Sequence, residues 1–437
     1  MNHRQRTALL SLALCIVAHI AAAGGHRAEP ATTVDLAGMV ADLSAPAFSG
    51  RLTGSDGNAD AADFLADRLD SLGFEPIGRA DGFRLEYEQP VIRQRRPLSV
   101  TVTDARGADR RLRAGLEAKL LIRPGISISG HVTGPILIPD PGVITDAWML
   151  EHPGSVVLIP PERRVLETVL SPASELAAVL IATPAGISET PRSVFLLEGR
   201  YDTEGPMVVE INHSASAAID AMSEPTIRIE ADYAVEQARV SNVAGVSSDG
   251  EGPPIVITAH FDGQGAADPD AFYPGAVDNA SGVATAISAA TRLSSGTDRP
   301  VWVALFNGEE QGFYGSKAFV SGFRTAIDGA TVVNIDMVAH SQTARFSVEA
   351  NEDSAGLAAR VVDALASRGA PARTGSAGGS DHVSFAGIAE AVSVVQAPYD
   401  AMHTTKDVPE RFDESIAETL VEALVAALSR SPADVAP

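Results

Sequence analysis

A chain of 437 residues exceeds what one hydrophobic core usually fills, so its length implies one large domain with an insertion, or two domains. With 45% hydrophobic and 20% charged residues it has the composition of an ordinary globular protein, which excludes a disordered or membrane-embedded chain. The formal net charge of −23 repels polyanions, so nucleic acid and anionic membrane surfaces are not expected partners, whereas a soluble enzyme or a divalent-metal binder fits.

At the start, Arg4 and Arg6 precede a mostly apolar run from Thr7 to Ile20, and Ala21, Ala22 and Ala23 offer a small-residue cleavage site. Residues 1–23 therefore read as a secretory leader, and the expected location is periplasmic or extracellular. The run is too short for a comfortable membrane span and no later segment is long and apolar enough, so the mature chain should have no stable span. Cleavage removes two arginines and no acids, moving the net charge from −23 to about −25. It also removes the single cysteine, Cys15, so no disulfide is expected. Lipid attachment at Cys15 is the second reading, because Leu14 is bulky where such sites want a small residue.

Next come two stretches with helical apolar spacing, 34–45 and 58–72, the second carrying Ala62, Phe64, Leu65, Leu69 and Leu72 before a stop at Gly73. A Gly-rich turn from Phe48 to Ser55 separates them. From about 90 to 225 the chain shows short strand-like runs, Leu98 to Val102, Pro135 to Ile138, Ser155 to Ile159, Ala178 to Ile181 and Met207 to Ile211, broken by Pro and Gly. This predicts a β-rich module. Beyond it, strands alternate with helices: Ile255 to Ala259, a helix over 279–293, Val301 to Phe306, a helix near 313–320, Val332 to Ile335, a helix over 354–367, Ala391 to Val395 and a helix over 413–428. The nearly unbroken apolarity of those strands predicts an α/β sheet, mixed but largely parallel, with helices on both faces.

Acids and histidines stand at the ends of these strands, where open α/β sheets place ligands. His260 and Asp262 follow the first strand and, in extended chain, point to one side, so Asp262 or a water it holds can fix a metal-binding imidazole. A polar strand end facing solvent explains this pair equally well. Asp278 precedes a helix, where it reads as a plain N-cap or as a carboxylate bridging two cations. Glu309 and Glu310 repel each other unless a positive charge sits beside them; in extended chain they diverge, so one can bind metal while the other faces the metal's water. Asp336 ends another buried strand and needs a cation. His403 lies in a turn before the last helix. Singly each signal is weak, but together, in order on successive strand ends, they are what two zinc ions about 3.5 Å apart require.

In this order the residues resemble the M28 family of co-catalytic zinc aminopeptidases, with its His-x-Asp, Asp-Asn, Glu-Glu, Asp and His. The resemblance covers about 34–90, including Ser49-Gly50-Arg51 and Gly54-Ser55, and 240–430. It implies a three-layer, zinc exopeptidase-like catalytic domain discontinuous over 34–90 and 226–430. Residues 91–225 are then an insertion that, with Leu176 to Ala185, is similar to a protease-associated domain. It further implies two zinc ions per chain, held by His260, Asp278, Glu310, Asp336 and His403, with Glu309 as general base; Asp262, read above as fixing the His260 ring, is the other catalytic candidate. Ser380-Asp381-His382-Val383-Ser384-Phe385 matches another family element and makes Asp381 and His382 pocket candidates, with a structural loop role as the alternative. Met402 stands where some members have Tyr, which puts the donor to the carbonyl oxygen in doubt. His131, His152, His213 and His340 fit no ligand slot.

The implied activity is release of N-terminal residues from peptides or proteins with a free N-terminus. The alternatives are another exopeptidase or a single-zinc glutaminyl cyclase on the same fold, or a binding homologue that has lost catalysis. Zinc content per chain separates them.

Overall fold

The computed structural model describes residues 33–77, 82–171, 174–183, 205–247, 250–268, 271–375 and 379–429. The expected leader at 1–23, with Cys15, and the end of the 176–185 segment lie outside the described residues.

Alternation along the central strands builds the layers. Ile255, Ile257 and Ala259 point into one hydrophobic core with Val301, Val303, Leu305, Val333 and Ile335. Val256, Ala304, Phe306 and Val332 point into another on the opposite face. The first core is closed by helices Leu36–Leu43, Asp56–Ser71, Ser281–Leu293, Ala355–Ala366 and Glu414–Leu428, and the second by Tyr314–Phe323 through Phe319 and Val320. Local chemistry sets the ends of the early helices. Asp35 accepts the Gly38 N–H at 2.9 Å and Ser55 accepts that of Asn58 at 3.2 Å, each satisfying a free donor of a first turn.

From its edge the sheet runs Ala372–Gly375, Phe346–Ala350, Glu390–Val395, Thr331–Asp336, Ile255–His260, Val301–Phe306 and Thr226–Val246. Ile255–His260 is parallel to both its neighbours, as Glu390–Val395 is to Thr331–Asp336. Phe346–Ala350 is antiparallel to Glu390–Val395, and Thr226–Val246 to Val301–Phe306. The sheet is thus mixed, and its parallel centre brings the C-terminal ends of three strands, bearing His260, Asn307 and Asp336, to one edge.

Two long strands link this body to a second core. Arg84–Thr103 and Thr226–Val246 pair antiparallel from Arg84 opposite Val243 to Thr103 opposite Thr226, with register shifts near Arg96. At its far end the ribbon packs into a core that includes Val100, Val102, Val156, Val157, Val179, Val208 and Ile229. The region expected to be β-rich is itself α/β there: Val156–Ile159, Ala178–Ala182 and Met207–Ile211 are parallel neighbours, and helices Asp146–Glu151, Arg163–Val169 and His213–Asp220 accompany them. Those helices are six to eight residues long, too short for a helical period to stand out in the sequence. Among the described residues, no helix is long and apolar enough to cross a membrane.

Candidate metal centre

His260 ends its strand with the ring buried. Its Nε2 faces Asp278 Oδ1 at 3.5 Å and Asp336 Oδ1 at 3.4 Å, and its Nδ1 faces Asp262 Oδ1 at 3.6 Å. Arriving from a loop, His403 places Nε2 3.1 Å from Asp278 Oδ2 and 3.0 Å from Glu310 Oε2. The result is two triads, His260–Asp278–Asp336 and Asp278–Glu310–His403, each offering ligand atoms within 4.8 Å of one another. Asp278 belongs to both, one oxygen toward each histidine.

Asp278 is not the helix cap that its position suggests. The helix begins at Ser281, and Asp278 lies in an irregular turn with φ −112° and ψ 88°. The turn opens on Gly275 at φ 61°, where a Cβ would come 2.5 Å from the Asp278 carbonyl oxygen, so only glycine fits. Asn279 closes it by donating to the Ile335 carbonyl at 2.9 Å and accepting from the N–H groups of Gly282 and Met337. This ties Asp278 to the strand bearing Asp336. Glu309 and Glu310 likewise stand in a turn after Gly308 rather than in extended chain, with the Glu309 carbonyl receiving Gly312 N at 3.0 Å.

Asp262 joins the ends of strands Ile255–His260 and Val301–Phe306. Its carboxylate accepts the N–H groups of Glu309 at 3.2 Å and Glu310 at 3.3 Å, and the Thr53 hydroxyl at 3.2 Å. It therefore fixes the glutamate turn as well as flanking the His260 ring.

Three residues given no role in the sequence reading organise the site. Arg51 is fully buried and donates to the carbonyls of Leu43, Phe261 (2.7 Å), Pro274 (2.8 Å) and Gly275 (2.8 Å). Burial lowers its pKa to about 10, which still leaves it charged at neutral pH. Asn307 exchanges hydrogen bonds with Asn58 and accepts the Thr53 hydroxyl at 2.8 Å. Asp407 accepts the N–H groups of Val277 (2.8 Å) and Asp278 (3.0 Å) and the Tyr399 hydroxyl (2.8 Å), clamping the His403 loop to the Asp278 turn. Its only trace in the sequence is its place four residues after His403. Asparagine at 407 offers one oxygen where these donors need two. D407N should lower the stability of the zinc-free protein by about 1–3 kcal/mol, read from urea unfolding, and an unchanged midpoint would remove Asp407 from this role.

Electrostatically the site suits cations. Burial pushes the Glu309 carboxyl well above the usual range, with Asp336, Asp381 and Glu310 adding to it, and burial raises Glu310 too. Burial acts to lower both histidines, but the carboxylates outweigh it. His260 is held well above its ordinary value and His403 is raised to about 10. Among the described residues, Glu310 Oε1, Asp336 Oδ1 and the Nδ1 atoms of His260 and His403 are buried without a hydrogen-bond partner. Buried carboxylates this close need positive charge, and mixed imidazole and carboxylate donors suit zinc. The residues present fit a metal pair.

Asp381 and His382 belong to neither triad. Both are buried beside the site; burial pushes Asp381 up to about 7 and His382 down to about 4. Met402 packs with Val277, Tyr399 and Ala401. His340 is structural, its Nε2 lying 2.8 Å from the Gln396 carbonyl oxygen, and His152 stacks on Trp148. His131 and His213 are exposed.

A mixed sheet covered on both faces, with paired histidine–carboxylate triads at its C-terminal edge, has the architecture of a zinc exopeptidase-like fold with a candidate metal centre. Residues 242–428 match the sequence model of Peptidase family M28, which supports reading the protein as a zinc metallopeptidase. No curated protein matches it. Among solved structures it is similar to BSAP, a zinc aminopeptidase from Bacillus subtilis, at 20% identity over 90% of this chain and 93% of that one, with a TM-score of 0.65. It is also similar to the aminopeptidase from Aneurinibacillus sp. strain AM-1 (18%, 90% and 92%, 0.62). A third similar structure is a Peptidase M28 precursor from Shewanella amazonensis SB2B (17%, 92% and 94%, 0.65). These likenesses establish the fold.

Proposed function

We propose that the chain is an exported aminopeptidase that binds two zinc ions, the peptidase domain formed by 34–90 and 226–430 and interrupted by an insertion at 91–225. His260, Asp278 and Asp336 hold one ion, and Asp278, Glu310 and His403 the other. The observation that carries this reading is the shared Asp278: one carboxylate presents separate oxygens to two histidines at 3.5 and 3.1 Å, the arrangement of a bridging ligand. Export rests on the leader-like residues 1–23, and aminopeptidase activity on the sequence resemblance and on what the similar Bacillus and Aneurinibacillus enzymes are called.

When bound, the zinc pair supplies Lewis acidity toward a water and the scissile carbonyl. Glu309 stands beside the triads without belonging to either. As general base it takes the proton of the attacking water and passes it to the leaving amine. Asp262 keeps Glu309 in place by accepting its backbone N–H.

The test is zinc content per chain together with hydrolysis of aminoacyl-arylamides and of peptides with free or blocked N-termini, with and without a chelator. The expected result is two zinc ions and chelator-sensitive cleavage confined to free N-termini. One zinc, or equal cleavage of blocked peptides, would overturn the reading.

A further inference from the structure

A lysine from outside the peptidase body reaches the candidate metal centre. Lys119 lies in the short strand Ala118–Leu120, which pairs antiparallel with Met207–Ile211 of the second core, Lys119 opposite Glu210. It is only 6% exposed, and its Nζ donates to Gln264 Oε1 at 2.9 Å. Gln264, on the loop after His260, donates from Nε2 to Glu310 Oε2 at 2.8 Å. The same Nζ lies 4.8 Å above the Tyr273 ring, and the Tyr273 hydroxyl donates to the Gly115 carbonyl at 3.0 Å. The two cores are thus stitched together beside Glu310.

Burying an ammonium group is costly, and an apolar side chain of similar length would pack the same space without that cost. Burial lowers the Lys119 pKa to about 8, with Glu210 and Glu310 opposing the shift. What the lysine adds is polarity. A carboxamide can face either way, but lysine only donates and an ionised carboxylate only accepts. With Lys119 on one side and Glu310 on the other, only one orientation of Gln264 satisfies both. That orientation holds Glu310 Oε2 toward His403 and leaves Glu310 Oε1 without a partner among the described residues.

We propose that Lys119 is a positioning residue for the metal centre, acting through Gln264 to orient Glu310, so that the 91–225 segment completes the zinc site of Asp278, Glu310 and His403. This rests on the proposed role of Glu310 as a ligand. Outer hydrogen bonds of this kind typically alter metal affinity by about 10–100-fold.

The test uses the full chain, with zinc affinity measured by competition against a chromogenic chelator and the site's geometry read from the absorption of the cobalt-substituted protein. K119M should weaken one of the two zinc sites by about 10–100-fold and change the cobalt spectrum, leaving the other site unchanged. K119R keeps a donor-only group, and a cavity of about 40 Å³ lined by Lys119, Gln264 and Tyr273 gives it room, so it should recover most of that affinity. Q264E keeps a partner for Lys119 but cannot donate to Glu310 as a carboxylate. It should weaken the same site, and it decides the matter should K119M fail to fold. Unchanged zinc affinity in a folded K119M or in Q264E overturns the proposal, as does equal loss in K119M and K119R, which would mean that packing alone matters. E310Q separates the two layers. Retention of both zinc ions in E310Q overturns the ligand reading itself, whereas loss of one ion there with no effect of K119M or Q264E overturns only the role of Lys119.

Discussion

E309Q should bind two zinc ions, fold normally and hydrolyse peptides about 100- to 10,000-fold more slowly than the parent, the range that a positioned acid or base contributes. The loss should fall on kcat far more than on KM if Glu309, which belongs to neither triad, serves the proton transfer as proposed. Glutamine keeps the shape and the backbone N–H that Asp262 receives at 3.2 Å, so the turn carrying Glu310 should stand unchanged. Near-normal turnover with two zinc ions bound would show that another group moves the proton. Asp381, buried beside Glu309 and pushed up to about 7, would be the next group to replace.

D278N should be the most damaging change to metal binding, because among the described residues Asp278 alone belongs to both triads. The amide supplies one neutral oxygen and a donor where two histidine-facing positions need two anionic oxygens. Affinity at both sites should fall by more than about 100-fold, beyond the loss typical of an outer hydrogen bond, and hydrolysis should fall with it. By contrast, D336N should weaken mainly the site of His260 and E310Q mainly that of His403. Zinc titration of the three variants reads this pattern directly. If D278N weakened one site only, Asp278 would not be shared.

Much of the peptidase fold was legible because its central strands are buried on both faces and therefore read as short apolar runs closed by polar residues. Ile255–His260, Val301–Phe306 and Thr331–Asp336 are such runs, and the helix between 281 and 293 follows the first of them. Strand Thr226–Val246 escaped notice because its middle, from Tyr233 to Arg239, is half-buried or exposed and lacks the alternation of a core-facing strand. Phe346–Ala350 and Ala372–Gly375 were missed because one is a brief run of five residues and the other a polar edge strand of four. In the 91–225 segment, the pairing order that turns the apolar runs into an α/β core involves residues too far apart for a local pattern to reveal.

The site divides in the same way. The sequence by itself determined which side chains stand at strand ends, since alternation and burial act over a few residues and are written there. It placed His260, Asp336 and the two glutamates at the ends of core strands and His403 in a turn, whereas the turn that carries Glu309 and Glu310 was not legible there. Only the tertiary structure decided that Asp278 faces both histidines, that Asp407 clamps its turn, and that Lys119 meets Gln264 across 145 residues of chain. The reason is physical. A carboxylate before a helix looks the same locally whether it caps or bridges, and a lysine in a short strand looks the same whether solvent or a second core covers it. Those outcomes depend on strand order and on packing between distant segments, which only the folded chain specifies.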